Sequence, residues 1–135
     1  MMEQTLSIIK PDAVERSLEE KIKYFFKENN LKIIKCKKVQ ITKEEAAEFY
    51  KVHQTKAFYD SLCNYLSSGP IVVMILEGVN VISKNRQLMG ATDPAQAEVG
   101  TIRGDLGTEM PENLIHGSDS EESAEREIGI FFPEL

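Results

Sequence analysis

The chain has 135 residues, 41% hydrophobic and 28% charged, with a formal net charge of −6. That length suits one domain with a core of its own, needing neither disulfides nor a structural metal. The acidic balance argues against a general binder of nucleic-acid backbones, and the longest apolar run, "IVVMIL" at 71–76, is too short to span a bilayer.

The chain-start sequence "MMEQTLSIIK" lacks the pattern of a signal peptide, so the expected location is cytoplasmic. Cys36 and Cys63 show neither CxxC nor zinc-type spacing and read as reduced thiols. Charge is unevenly placed. Residues 1–56 hold 12 basic against 9 acidic side chains, and residues 57–135 hold 4 against 13. The four late basic residues are Lys84, Arg86, Arg103 and Arg126, and two of them, Arg86 and Arg103, stand beside glycine-rich turns.

"TLSIIK" at 5–10 predicts a strand, stopped by Pro11. Leu18, Ile22, Phe25 and Phe26 follow at helical spacing, which predicts an amphipathic helix over 18–29 ended by Asn29-Asn30. "LKIIKCKKVQI" at 31–41 is a second strand whose alternation slips in phase, as a bulge would make it. "TKEE" at 42–45 fits a capping box, opening a helix to about Val52. Phe58, Leu62, Tyr65 and Leu66 make the stripe of the next helix, ended by "SSGP". "IVVMIL" does not alternate and predicts a central strand covered on both faces. A helix over 79–89 follows, closed by Gly90. Residues 90–115 have no long periodic segment, and a loop of that length is often functional. "NLIH" at 113–116 is a short strand. The last helix carries Ala124, Ile128 and Phe131 on one face, with Ser118 and Glu121 as its capping box.

Two β-α-β units in this order predict a ferredoxin-like α+β sandwich, a single domain over 1–135. Its four-stranded antiparallel sheet would have two crossover helices on one face.

The sequence has no P-loop, no dinucleotide-binding glycine motif, no zinc site and no nucleophile elbow. What remains is a set of anion-binding candidates at strand ends and turns: Lys10, Arg86, Thr92 and Arg103, with His116 closing the last strand. Each has an ordinary reading when taken alone. Lys10 is a solvated strand end, Arg86 a helix C-terminal cation, and His116 a turn residue. Neutral imidazole is nonetheless a nucleophile able to carry a covalent intermediate, and Glu127 on the following helix could orient it.

In order, "TLSIIKPDAV", "SGPIVVMILEG", "RQLMGATDP", "GTIRGD" and "NLIHGSDSEESAEREI" cover essentially the whole chain. With these segments the sequence resembles the nucleoside diphosphate kinases. The resemblance implies transfer of the terminal phosphate of a nucleoside triphosphate to a nucleoside diphosphate, by a ping-pong route through a phosphohistidine. It assigns the nucleophile to His116. Glu127 orients its imidazole with help from Ser118, Lys10 meets the terminal phosphate, and Tyr50 supports the same site. Arg86, Thr92 and Arg103 hold the other phosphates, with His53 nearby. Asn113 and Lys10 bind the sugar hydroxyls, and Phe58 stacks on the base with Leu62 behind it. Magnesium (Mg2+) rides on the nucleotide's phosphates, so no dedicated metal site is expected. A stacked base is not read at its edge, so broad base tolerance follows.

The chain departs from the family pattern in three places. Ser17 and Glu20 stand where many relatives have glycines, which bears on the local backbone. Met110 stands at a base-facing position that is commonly valine. The sequence ends at "IFFPEL", without the longer tail of some relatives. The family forms tetramers and hexamers, and a homohexamer is expected here. Two other readings stay open on the residues. A non-catalytic nucleotide-binding module is opposed by the intact His116, Lys10, Arg86, Arg103, Asn113 and Glu127. An RNA-binding ferredoxin-like domain is opposed by apolar strands and acidic charge.

Overall fold

Strand β1 (Met2–Ile9) is an inner strand of the sheet, hydrogen-bonded to a neighbour on each side. The computed structural model describes residues 2–107 and 113–134. After β1 come α1 (Pro11–Glu15), α2 (Glu19–Glu28), β2 (Lys32–Val39), α3 (Lys43–Phe49) and α4 (Tyr59–Leu66). Then follow β3 (Ile71–Val79), α5 (Val81–Met89), α6 (Ile102–Leu106), β4 (Ile115–Gly117) and α7 (Glu121–Phe131). The four strands lie in the order β2-β3-β1-β4, each pair antiparallel. This is the ferredoxin-like order expected from two β-α-β units.

Strand β3 shows how the sheet is buried. Val72, Met74 and Leu76 join the core under α2 and α5, with Ile22, Phe26 and Val81. Val73 and Ile75 join a second core on the opposite face, with Phe49, Leu66 and Phe131 from α3, α4 and α7. Successive side chains of a strand point to opposite faces, so a run without polar alternation belongs between two layers. The two crossover helices, α2 and α5, cover one face as expected, and α3, α4 and α7 cover the other, which gives the central strand its second layer.

Helix α2 starts and stops within a residue of its sequence pattern, and Asn30 turns left-handed behind it (φ 62°). The phase slip in β2 is a register shift between Ile33 and Lys35. Thr42 and Glu45 form the capping box of α3 in full, but the helix ends at Phe49 and continues as a 3-10 turn, Lys51–His53. Ser17 adopts φ 58°, a conformation that glycine reaches without steric cost. The turn before α2 is thus kept without glycine, at the expense of strain at Ser17.

Two local expectations change. Residues 90–107 hold a 3-10 turn, Pro94–Gln96, and helix α6, where a plain loop was expected. Asp93 and Thr101 cap them, accepting from the N–H groups of Ala95 and Gly104. Each is about one turn long, too short to leave a periodic signal. The cap of α7 is Ser120, accepting from the Ser123 N–H at 3.1 Å, and not Ser118 with Glu121.

Candidate active site

The C-terminal end of β1 and the segment leading into β4 meet in a short, tightly tied structure. Leu114 is fully buried at φ 70°. The Ile115 N–H reaches back across it to the Asn113 carbonyl at 2.8 Å, closing a γ-turn of the strained hand. Two further bonds hold it: the Leu114 N–H donates to Asp12 Oδ2 at 3.1 Å, and the Lys10 N–H donates to the Leu114 carbonyl at 2.8 Å. Strain of this kind persists where the surroundings over-determine it.

Directly after this turn, β4 presents His116. Its Nε2 lies 2.8 Å from Glu127 Oε1, and the Ser118 hydroxyl donates to the same oxygen at 2.7 Å. Ser118 in turn accepts the Leu6 N–H at 3.2 Å, which explains why it does not cap α7. A carboxylate oxygen only accepts, so the imidazole proton sits on Nε2 and the lone pair on Nδ1. The edge of the ring packs on Phe49, centroids 5.0 Å apart, and the side chain is 22% exposed. A neutral imidazole held by a carboxylate on one nitrogen can act as a nucleophile through the other.

Cations line the same end of the sheet. Lys10 is buried, and its Nζ donates to Asn113 Oδ1 at 2.9 Å. Burial, and then the charge of Arg103, lowers its pKa to about 8. Arg103 is also buried, and spreads its guanidinium over three carbonyls: Asn113 at 3.0 Å, Gly90 at 3.1 Å and Ile115 at 2.7 Å. Burial, and then the charge of Arg86, lowers its pKa to about 10. Arg86 is exposed and donates to the Gly117 carbonyl at 3.3 Å. Like charges crowded in low dielectric are costly, and a bound anion relieves that cost. Asn113 bridges Lys10 to the turn before α6, its Nδ2 donating to the Thr92 carbonyl at 3.1 Å.

The α3–α4 hairpin supplies the aromatic side. The Tyr50 hydroxyl is pushed well above its ordinary pKa, by burial first. His53 lies 6.4 Å from the Tyr50 ring and 6.1 Å from that of Phe58. Phe58 is 50% exposed, an open apolar platform, and Leu62 is half-buried on the following turn. Met110 lies outside the described residues.

Bond by bond, the structure brings Glu127 and Ser118 to His116 and joins Lys10, Asn113, Thr92 and Arg103 in one network. Tyr50, His53 and Phe58 form a row on the hairpin. Three contributors have no individual sequence signal: Asp12, which holds the strained turn; Phe49, which walls the imidazole; and Arg126, which donates to the carbonyls of Glu48 and Phe49. Among the described residues no group of three or more His, Cys, Asp or Glu could hold a metal. A groove of about 700 Å³ between α2 and β2, lined in part by Tyr24, Leu31 and Ile33, contains none of the site residues.

A ferredoxin-like sheet with a carboxylate-held histidine and a cradle of buried cations at one end defines a class, the small α+β phosphotransferases. The family model described as nucleoside diphosphate kinase matches residues 3–135. The nucleoside diphosphate kinase of Nitratiruptor sp. is 53% identical over 131 residues, covering 97% of this chain and 96% of that protein. That of Persephonella marina is 52% identical over 134 residues, covering 99% and 96%. A crystal structure of the Aquifex aeolicus enzyme superposes with a TM-score of 0.96 at 40% identity, covering 98% of this chain and 96% of that one. The chain belongs to the nucleoside diphosphate kinase family.

Proposed function

We propose that this chain, as one domain over residues 1–135, moves the terminal phosphate of a nucleoside triphosphate to a nucleoside diphosphate through His116. The observation that carries the reading is the contact of His116 Nε2 with Glu127, which leaves Nδ1 as the free nucleophile. Nδ1 attacks the terminal phosphorus. The P–N bond forms as the bond to the bridging oxygen breaks, and the departing diphosphate keeps that electron pair. A second nucleoside diphosphate then attacks the phosphohistidine through a terminal oxygen, and the P–N electrons return to Nδ1. The proton on Nε2 stays hydrogen-bonded to Glu127 throughout. The transfer needs positioning and charge stabilisation above all.

Lys10 meets the transferring phosphate, and Tyr50 supports it. Arg86, Thr92 and Arg103 hold the remaining phosphates, with His53 beside them. Asn113 and Lys10 take the sugar hydroxyls. Phe58 stacks on the base, backed by Leu62. The donor set is cationic rather than carboxylate-rich, which suits a nucleotide that arrives with its own magnesium. Magnesium lends the phosphates charge neutralisation when bound. We further assign the chain to the cytoplasm, where nucleotide pools are held, and to a homohexamer.

Brief incubation with labelled ATP and magnesium tests this. The expected product is an acid-labile, alkali-stable phosphoprotein that discharges onto added GDP, while His116→Ala does neither. A wild-type chain that never labels, or a His116→Ala chain that labels and turns over normally, overturns it.

A further inference from the structure

The end of α3 lacks something that α7 supplies. The last carbonyls of a helix have no partner within it, and a cation there is favourable. Helix α3 has no basic residue in its last turn. Arg126, 78 positions along the chain, reaches across from α7 instead. Its Nη2 donates to the Glu48 carbonyl at 2.9 Å and to the Phe49 carbonyl at 3.0 Å.

The two elements joined in this way carry different halves of the site. Arg126 precedes Glu127, the carboxylate on His116. Phe49 precedes Tyr50, the C-cap of α3, and its own ring packs against the His116 imidazole. Beyond Tyr50 come His53 and Phe58. The Arg126 charge is felt at His53, whose pKa is lowered by burial first, then by Lys56, and in smaller measure by His116 and Arg126.

We propose that Arg126 is a positioning residue that locks the aromatic hairpin to the catalytic helix, setting the spacing between base platform and phosphate carrier. The inference rests on the reading of His116 as that carrier. Without the guanidinium, the end of α3 loses its donors while α7 keeps Glu127 on His116. The nucleotide then pays to order the hairpin on binding, and once bound it restores the reacting geometry. Affinity suffers and the chemical step does not.

Arg126→Met and Arg126→Lys in the full chain test this by ADP titration, steady-state kinetics and amide hydrogen exchange. Loss of a charge-assisted bond predicts about tenfold weaker ADP binding and a matching rise in KM for Arg126→Met. Phosphate uptake by His116 at saturating ATP should stay within about threefold, as expected for uniform binding lost. Amides of residues 50–66 should exchange faster while those of the sheet do not. Arg126→Lys, which keeps a donor but not the fork, should weaken ADP by about threefold. Unchanged ADP affinity in Arg126→Met, or a fall in kcat with affinity kept, overturns the proposal. If Arg126→Met does not fold, wild-type affinity in Arg126→Lys overturns it equally. Should wild-type protein take up no phosphate, the carrier reading fails, and the exchange comparison still decides whether Arg126 tethers the hairpin.

Discussion

Lys10 shows how burial turns an ordinary residue into a sensitive one. In sequence it was one lysine at a strand end. In the fold it is buried, beside Arg103, with a pKa of about 8. The rate constant kcat/KM reports ionisations of the free enzyme, so it should fall as pH rises through about 8. A bound phosphate favours the ammonium, so the corresponding fall in kcat should lie at higher pH. Lys10→Gln should abolish that limb and lower turnover on the order of 10–100-fold, the worth of a charge-assisted contact. The same shift acts on stability. Between about 8 and the unfolded value of 10.5, the unfolded chain holds more protons than the folded one. The contribution of Lys10 therefore rises with pH across that window. Below it, Lys10→Gln should be the more stable protein in urea unfolding. A wild-type pH profile flat to pH 10 would remove this assignment.

Helix ends show where a local pattern suffices and where it does not. Thr42 and Glu45 were read correctly as a capping box because both groups answer only to their own turn. Thr42→Ala should cost about 1 kcal/mol in urea unfolding while phosphohistidine still forms. Stability unchanged within error would count against the cap. Ser118 and Glu121 carry the same spacing, yet Ser118 faces inward to Leu6 and Glu127, and Ser120 takes the cap. Only Ser118 has a glutamate three positions on, whereas Ser120 has Ser123 there, so the local pattern favours Ser118, and the partner 112 residues away in β1 draws it inward instead. Helix α6 was missed for another reason. At five residues it has no periodicity, only a threonine cap and an arginine whose three bonds all leave the helix.

In the assembled molecule, the two sheet faces divide the work: α2 and α5 stabilise one, and the other carries the hairpin and α7 that bring aromatic rings and Glu127 to His116. The proposed homohexamer predicts a mass by light scattering of six times the 15.2 kDa chain, and a tetramer or monomer mass would reject it. The order of the four strands and the longer helices, the doubly covered central strand, the β2 slip and the family were all legible in residue order, while the five-residue helices α1 and α6 were not. Hydrophobic periodicity, caps and motif spacing are local properties, so a linear reading reaches them. The phosphate-carrier assignment came from the motif alone. Residue order could not show the Nε2 contact that leaves Nδ1 open, the left-handed Leu114, the low pKa of Lys10 or the reach of Arg126 to α3. Each of these depends on groups far apart in sequence and on the low dielectric that packing creates around them, so only the tertiary structure decided them.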